Sequence, residues 1–120
     1  MNWTATLVIA LALALIFILK RVGQISSKQA LEYLKNGALV VDVRSPGEFS
    51  SRHLSKALNI PLGEIESALP CRIKDKQQVL LLHCQSGMRS GMAAKTLKTL
   101  GYVNAFNLGS YARAAGIVGK

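Results

Sequence analysis

Two short runs constrain this chain most: ALVVDVR at residues 38–44 and QVLLLHC at residues 78–84. Each carries aliphatic side chains at consecutive rather than alternate positions, so a strand built from either hides both of its faces. Such strands lie mid-sheet, in parallel sheets covered by helices. The flanking segments supply those helices. SSKQALEYLKNG at 26–37 has Ser26 as N-cap, Gln29 in capping-box position and Gly37 as the C-terminal stop. GEIESAL reads as a short helix, and SGMAAKTLKTLG, from Ser90, places Met92, Ala93, Leu97 and Leu100 near one face of a helix ending at Gly101. Two more strands are expected, ALNI at 57–60, stopped by Pro61, and VNAFNL at 103–108, while Pro46-Gly47 breaks the chain after the first strand. Strands alternating with helices define an α/β fold with a central parallel sheet flanked by helices.

At 120 residues there is room for one such domain. The apolar content is uneven: residues 3–19 carry no charge, and Lys20-Arg21 closes the block. A bilayer span needs about 20 apolar residues, with a lower limit near 17, so one transmembrane helix is expected ahead of the sheet. A cleaved secretory signal fits less well, because residues 1–6 have no basic side chain and KRVGQISSK offers no Ala-x-Ala site. Basic residues beside a span mark its cytoplasmic side. The expectation is a single-pass cell-membrane protein, its folded domain facing the cytoplasm and Trp3 in the opposite headgroup layer. The organisation that follows is an anchor with its basic flank at 1–21, a linker at 22–25 and a domain at 26–120.

The net charge is +9. Beside a bilayer, basic groups are drawn to anionic membrane lipid. Aromatic residues make up only 6% of the chain and do not alternate with basic ones, which argues against a nucleic-acid partner. The two cysteines, Cys71 and Cys84, are expected to be free thiols in a reducing cytoplasm.

HCQSGMRSG at residues 83–91 joins the second buried strand to the helix after it. The carboxyl ends of parallel strands are where open α/β sheets place their sites. Unpaired N–H groups at the amino end of a helix favour an anion. Cys84 therefore sits where a thiol becomes a thiolate, with Arg89 adding a full positive charge and Gly87 allowing the backbone to curl into an amide nest. His83 precedes Cys84 on the strand and is expected to point to the opposite face, in a packing or hydrogen-bonding role. Asp42 and Arg44, two apart, leave one face of their strand together. Arg52 and His53 are assigned to the solvated surface. Cys71 bridges to Cys84 only if their Cα atoms come within about 7 Å, and Pro70 suggests a turn before it.

In VDVRSPGEF, ALNIP and HCQSGMRS the chain resembles the rhodanese family, over about residues 25–108. The resemblance implies a sulfurtransferase in which Cys84 takes sulfane sulfur from thiosulfate or from a protein or small-molecule persulfide, holds it as a persulfide and passes it to a thiol or cyanide-like acceptor. It implies an active loop of Cys84, Gln85, Ser86, Gly87, Met88, Arg89 and Ser90, with Asp42 and Arg44 as supports, Arg89 holding an anionic donor, and no metal or organic cofactor. A protein sulfur donor or acceptor is a further partner. The alternative is a non-catalytic persulfide carrier or membrane-tethered binding module. Cysteine phosphatases of related fold have five residues between Cys and Arg; here four separate Cys84 from Arg89, a ring better suited to one sulfur than to a phosphate. RHLSKA replaces the family's Gly-His-hydrophobic-Pro-Gly pattern, the closing Gly-Gly-Trp is absent, and Gln85 stands where many thiosulfate users carry a basic residue.

Overall fold

Four parallel strands, in the order β2-β1-β3-β4, form the centre of the protein. They are β1 (Leu39–Asp42), β2 (Leu58–Asn59), β3 (Leu80–His83) and β4 (Ala105–Gly109). The structure, a computed structural model, describes residues 2–119 apart from the side chains of 18–22. The runs at residues 38–44 and 78–84 supply the two inner strands, paired in register from Leu39 with Leu80 to Asp42 with His83.

Alternation along β3 divides the interior. Leu80, Leu82 and Cys84 join a core with Ile65, Leu69, Ala93 and Leu97. Leu81 joins a second core with Ala30, Leu108, Tyr111 and Ala114. The first lies under α4 (Ile65–Arg72) and α5 (Met88–Thr99), the second under α2 (Ser27–Lys35) and α6 (Tyr111–Val118). Ser26 caps α2 as expected, its side chain accepting from the Gln29 N–H at 3.2 Å.

Local expectations change in four places. The break at Pro46-Gly47 is a helix, α3 (Pro46–Ser51), begun by a capping box in which Ser45 and Glu48 satisfy each other's backbone, with Pro46 in the first turn. Pro70 lies inside α4, whose buried Ile65 and Leu69 hold the helix through it. On α5 the buried positions are Ser90, Ala93, Ala94 and Leu97, a stripe at helical spacing, while Met92 is 60% exposed. The supposed linker is docked: Gln24 makes a parallel bridge to Asn107, the Ile25 N–H donates to the Asn107 carbonyl at 3.0 Å, and Ile25 is buried.

The apolar block forms α1 (Trp3–Val22), with exposed side chains such as Trp3 and Leu11. Among the described residues no helix is long and apolar enough to cross a membrane. The expected transmembrane span is therefore not supported. Leu19, Lys20 and Arg21, on which its length and orientation relied, fall outside the described side chains.

Candidate active site

The end of β3 carries Cys84 into the interior, fully buried at the carboxyl edge of the sheet. From there the chain turns through Gln85, Ser86 and Gly87 into α5. Gly87 caps that helix at φ 96, a left-handed conformation costly for any side chain, and a Cβ there would come 3.4 Å from both Gly109 and Gln24. The turn aims an amide at the sulfur: the Gly87 N–H donates to Cys84 Sγ at 3.0 Å. Gln85, Ser86 and Met88 form the exposed rim, whereas Gly87 and Ser90 are buried.

Burial pushes the Cys84 thiol's pKa up, but hydrogen bonds from the Ser90 hydroxyl and from the Ser90, Gly87 and Ser86 N–H groups together bring it below the ordinary value. The Ser90 hydroxyl has one proton and four acceptors within reach, among them the Gly87 carbonyl at 3.1 Å and the Gly109 carbonyl at 3.5 Å. Its oxygen is 2.7 Å from Asn107 Oδ1 and 3.5 Å from Cys84 Sγ, so the backbone amides are the dependable donors to sulfur.

The far side of the loop is held by β4 and the turn into α6. Asn107 Oδ1 accepts from Ser90 Oγ and, at 2.9 Å, from the Gly109 N–H, while its Nδ2 donates to the Gly87 carbonyl at 3.1 Å. The Cys84 N–H donates to the Gly109 carbonyl at 3.2 Å, and the Tyr111 N–H to the Gln85 carbonyl at 3.3 Å. Gly109 has φ 106, and a Cβ there would meet Arg113 and Gln24 at 3.1 Å. A cavity of about 430 Å³ flanks the loop, lined by Gln24, Ser86, Gly87, Met88, Met92 and Lys95 among others.

Asp42 and Arg44 meet as the sequence suggested. Arg44 Nη2 donates to Asp42 Oδ2 at 2.8 Å and Nε to Oδ1 at 3.0 Å, and Nη2 also reaches the Arg52 carbonyl at 2.6 Å. The hydrogen bond to Asp42 raises the Arg44 pKa against the opposing effect of burial. His83 points to the opposite face from Cys84, edge-on to the Tyr111 ring with centroids 5.8 Å apart. Its Nε2 is buried without a hydrogen-bond partner among the described residues and lies 3.8 Å from Asp42 Oδ2. Burial drives the His83 pKa down, only partly offset by Asp42.

Arg52 and His53 are exposed, Arg52 over the Tyr111 ring at 4.4 Å and His53 stacked on Phe49 at 3.9 Å. Cys71 is an exposed free thiol and Cys84 a buried one, so no bridge joins them.

Arg89 departs from its expected part. Its guanidinium faces Glu48, with Nη1 to Oε1 at 2.7 Å and Nη2 to Oε2 at 3.0 Å. The Glu48 hydrogen bonds raise its pKa first, and the charge of Cys84 adds less. In return Arg89 and the Ser45 N–H hold the Glu48 carboxyl at about 2. The charge counted on to lower the thiol's pKa is thus shared with a carboxylate, and the Ser90 hydroxyl and the amides are the larger causes of that lowering.

Sequence reasoning passed over Glu48, Asn107, Gly109 and Gln24. Ser45-Pro46-Gly47-Glu48 carries a capping-box signature that was available, and Asn107 is a polar residue of a depleted type inside a strand. Gln24 carried no local signal, since only the folding of the chain brings it to the loop.

A cysteine at the end of a parallel strand, ringed by amides at the head of a helix, defines a class of thiolate site. The chain belongs to the rhodanese family: the model of the Rhodanese-like domain matches residues 26–113. It is 33% identical over 69 residues to the thiosulfate sulfurtransferase PspE of Escherichia coli, covering 58% of this chain and 66% of that protein. It is 31% identical over 77 residues to the thiosulfate:glutathione sulfurtransferase of Saccharomyces cerevisiae, covering 55% of each chain. The matches thus span two thirds or less of these relatives. Among solved structures, a human single-domain sulfurtransferase superposes with TM-score 0.67 at 30% identity, over 78% of this chain and 96% of that one. The rhodanese-like α/β fold, with its parallel sheet between helices, is the one the motifs implied.

Proposed function

We propose that the protein is a sulfurtransferase that carries sulfane sulfur on Cys84 and passes it to a thiol or cyanide-like acceptor. The observation that supports this best is the amide ring about Cys84 Sγ, led by the Gly87 N–H at 3.0 Å. Thiolate attack on a sulfur–sulfur bond is exchange chemistry, and it proceeds faster as the leaving group becomes more acidic. When Cys84 attacks thiosulfate, the new S–S bond forms as sulfite leaves with the bonding pair. The outer sulfur then carries the negative charge, which inward-facing N–H groups stabilise as they stabilise an oxyanion. Gln85, Ser86 and Met88 form the mouth, Gly87 and Ser90 supply the ring, and Asp42 with Arg44 braces the strand end beside it. The chemistry requires no metal or organic cofactor.

The address is part of the same reading. The uncharged run 3–19 and Lys20-Arg21 support membrane attachment through α1, with the domain on the cytoplasmic side and anionic lipid as a partner. Retention in membranes after a high-salt wash supports the anchor, and release by salt rules it out, because charge alone is screened within a Debye length. Incubating the protein with a sulfane donor and weighing it intact tests the chemistry. A gain of one sulfur atom, absent in Cys84→Ser, is the expected result. Catalytic turnover with cyanide distinguishes an enzyme from a carrier, and turnover retained in Cys84→Ser would sink the assignment.

A further inference from the structure

We propose that Glu48 sets donor choice at this site: by holding the Arg89 guanidinium in a two-pronged ion pair, it makes the loop select an organic persulfide over a dianionic donor such as thiosulfate. This rests on the sulfurtransferase reading and names its substrate class. Arg89 is the only charged side chain among residues 85–90. Both of its terminal nitrogens are taken by Glu48, at 2.7 and 3.0 Å. Glu48 is itself pinned at the first turn of α3, where Oε1 accepts from the Ser45 N–H and hydroxyl, each at 3.1 Å. Its carboxyl stays charged at any ordinary pH.

The other cations nearby lie outside the loop. Arg44 is bound to Asp42, and Arg52 lies over Tyr111. Lys95 lines the flanking cavity, whose wall includes neither Cys84 nor Arg89. An incoming donor therefore meets a thiolate and a ring of amides. Amides suit one developing negative charge on sulfur; a second, carried in by a dianion, has no unmatched cation in the loop to face. An organic persulfide, R–S–SH, brings at most one charge. The Cys84 thiolate attacks its outer sulfur, the new S–S bond forms as the old one breaks, and RS⁻ leaves with the bonding pair to take up a proton. Sulfur is exchanged with no external oxidant or reductant.

The test compares thiosulfate with 2-hydroxyethyl persulfide in the full-length protein. Wild type should show the higher kcat/KM for the persulfide. Glu48→Gln frees Arg89 and should lower KM for thiosulfate about three- to tenfold while moving that for the persulfide less than about twofold. Ser45→Ala, which removes the cap and keeps the ion pair, should leave the ratio between donors within about twofold. Parallel changes for both donors in Glu48→Gln would reduce Glu48 to a structural cap and overturn the proposal. Should that variant fail to fold, wild type decides alone: a tenfold preference for thiosulfate overturns the proposal, and the reverse preference supports it. If neither donor adds sulfur to Cys84, the sulfurtransferase reading itself fails and takes this one with it.

Discussion

Among the described residues two arginine–carboxylate pairs are bidentate, and they differ chiefly in where the fold puts them. In Arg44–Asp42 the side chains are 4% and 0% exposed; in Arg89–Glu48 they are 37% and 35% exposed. The inner pair joins residues two apart at the end of β1, whereas the outer pair joins α5 to α3 across 41 positions. Both are made of the same groups at nearly the same distance. In the interior each charge is stable only while its partner is present, so the pair acts as a fixed brace. At the surface water shares the load, so the pair can be altered without unfolding the chain.

The sharpest way to break this comparison is to remove one cation from each pair. Arg44→Ala leaves Asp42 buried and unpaired and should cost about 3–5 kcal/mol in urea unfolding. An equal loss in Arg89→Ala would erase the distinction. Between the two lies Ser90, buried but neutral. Ser90→Ala removes one of the two donors to the Asn107 amide oxygen, which keeps the Gly109 N–H, and removes a donor to sulfur, so it should cost about 0.5–1.5 kcal/mol. The Cys84 pKa should rise, read as an upward shift in the pH dependence of alkylation.

The inner region should also respond to mild acid. Burial depresses the His83 pKa below 6.5, so the unfolded chain binds the proton more readily. Stability should therefore decline as pH falls below about 6.5, and His83→Phe should flatten that slope in thermal melts between pH 7 and 5. A slope unchanged in the variant would assign it to other groups. The smallest effect belongs to the outer pair. Arg89→Ala should change unfolding free energy by less than about 1 kcal/mol. Because Glu48 is held at about 2, its share of stability is present above the ordinary value of 4.5 and fades only as pH falls from there toward 2.

Much of this site was legible before the fold was known. VVDVR and VLLLHC announce strands buried on both faces, and the glycine and the helix start after Cys84 announce a thiolate loop. These are local signals: hydrophobic periodicity, turn chemistry and the spacing of side chains along one strand. Asp42 with Arg44, and His83 opposite Cys84, follow from a period of two. The sheet order β2-β1-β3-β4 carries no such signal, because register and neighbour choice are settled by which faces the helices cover.

Tertiary structure alone decided who speaks to the loop. Arg89 read as a free cation because nothing near it in sequence opposes it. The fold brings Glu48 of α3, 41 residues away, within hydrogen-bond distance of it. Asn107 and Gly109 reach the loop across a parallel pair of strands whose register shifts between Leu82 and His83. Gln24 arrives from a segment that composition marks as a linker. The sequence by itself determined which sulfur sits at the head of the loop and the strand that carries it, since those depend on neighbours a few bonds away. The charge that atom faces was decided by contacts between distant elements, because electrostatic energy depends on distance in space and on burial, and neither is written in the order of residues.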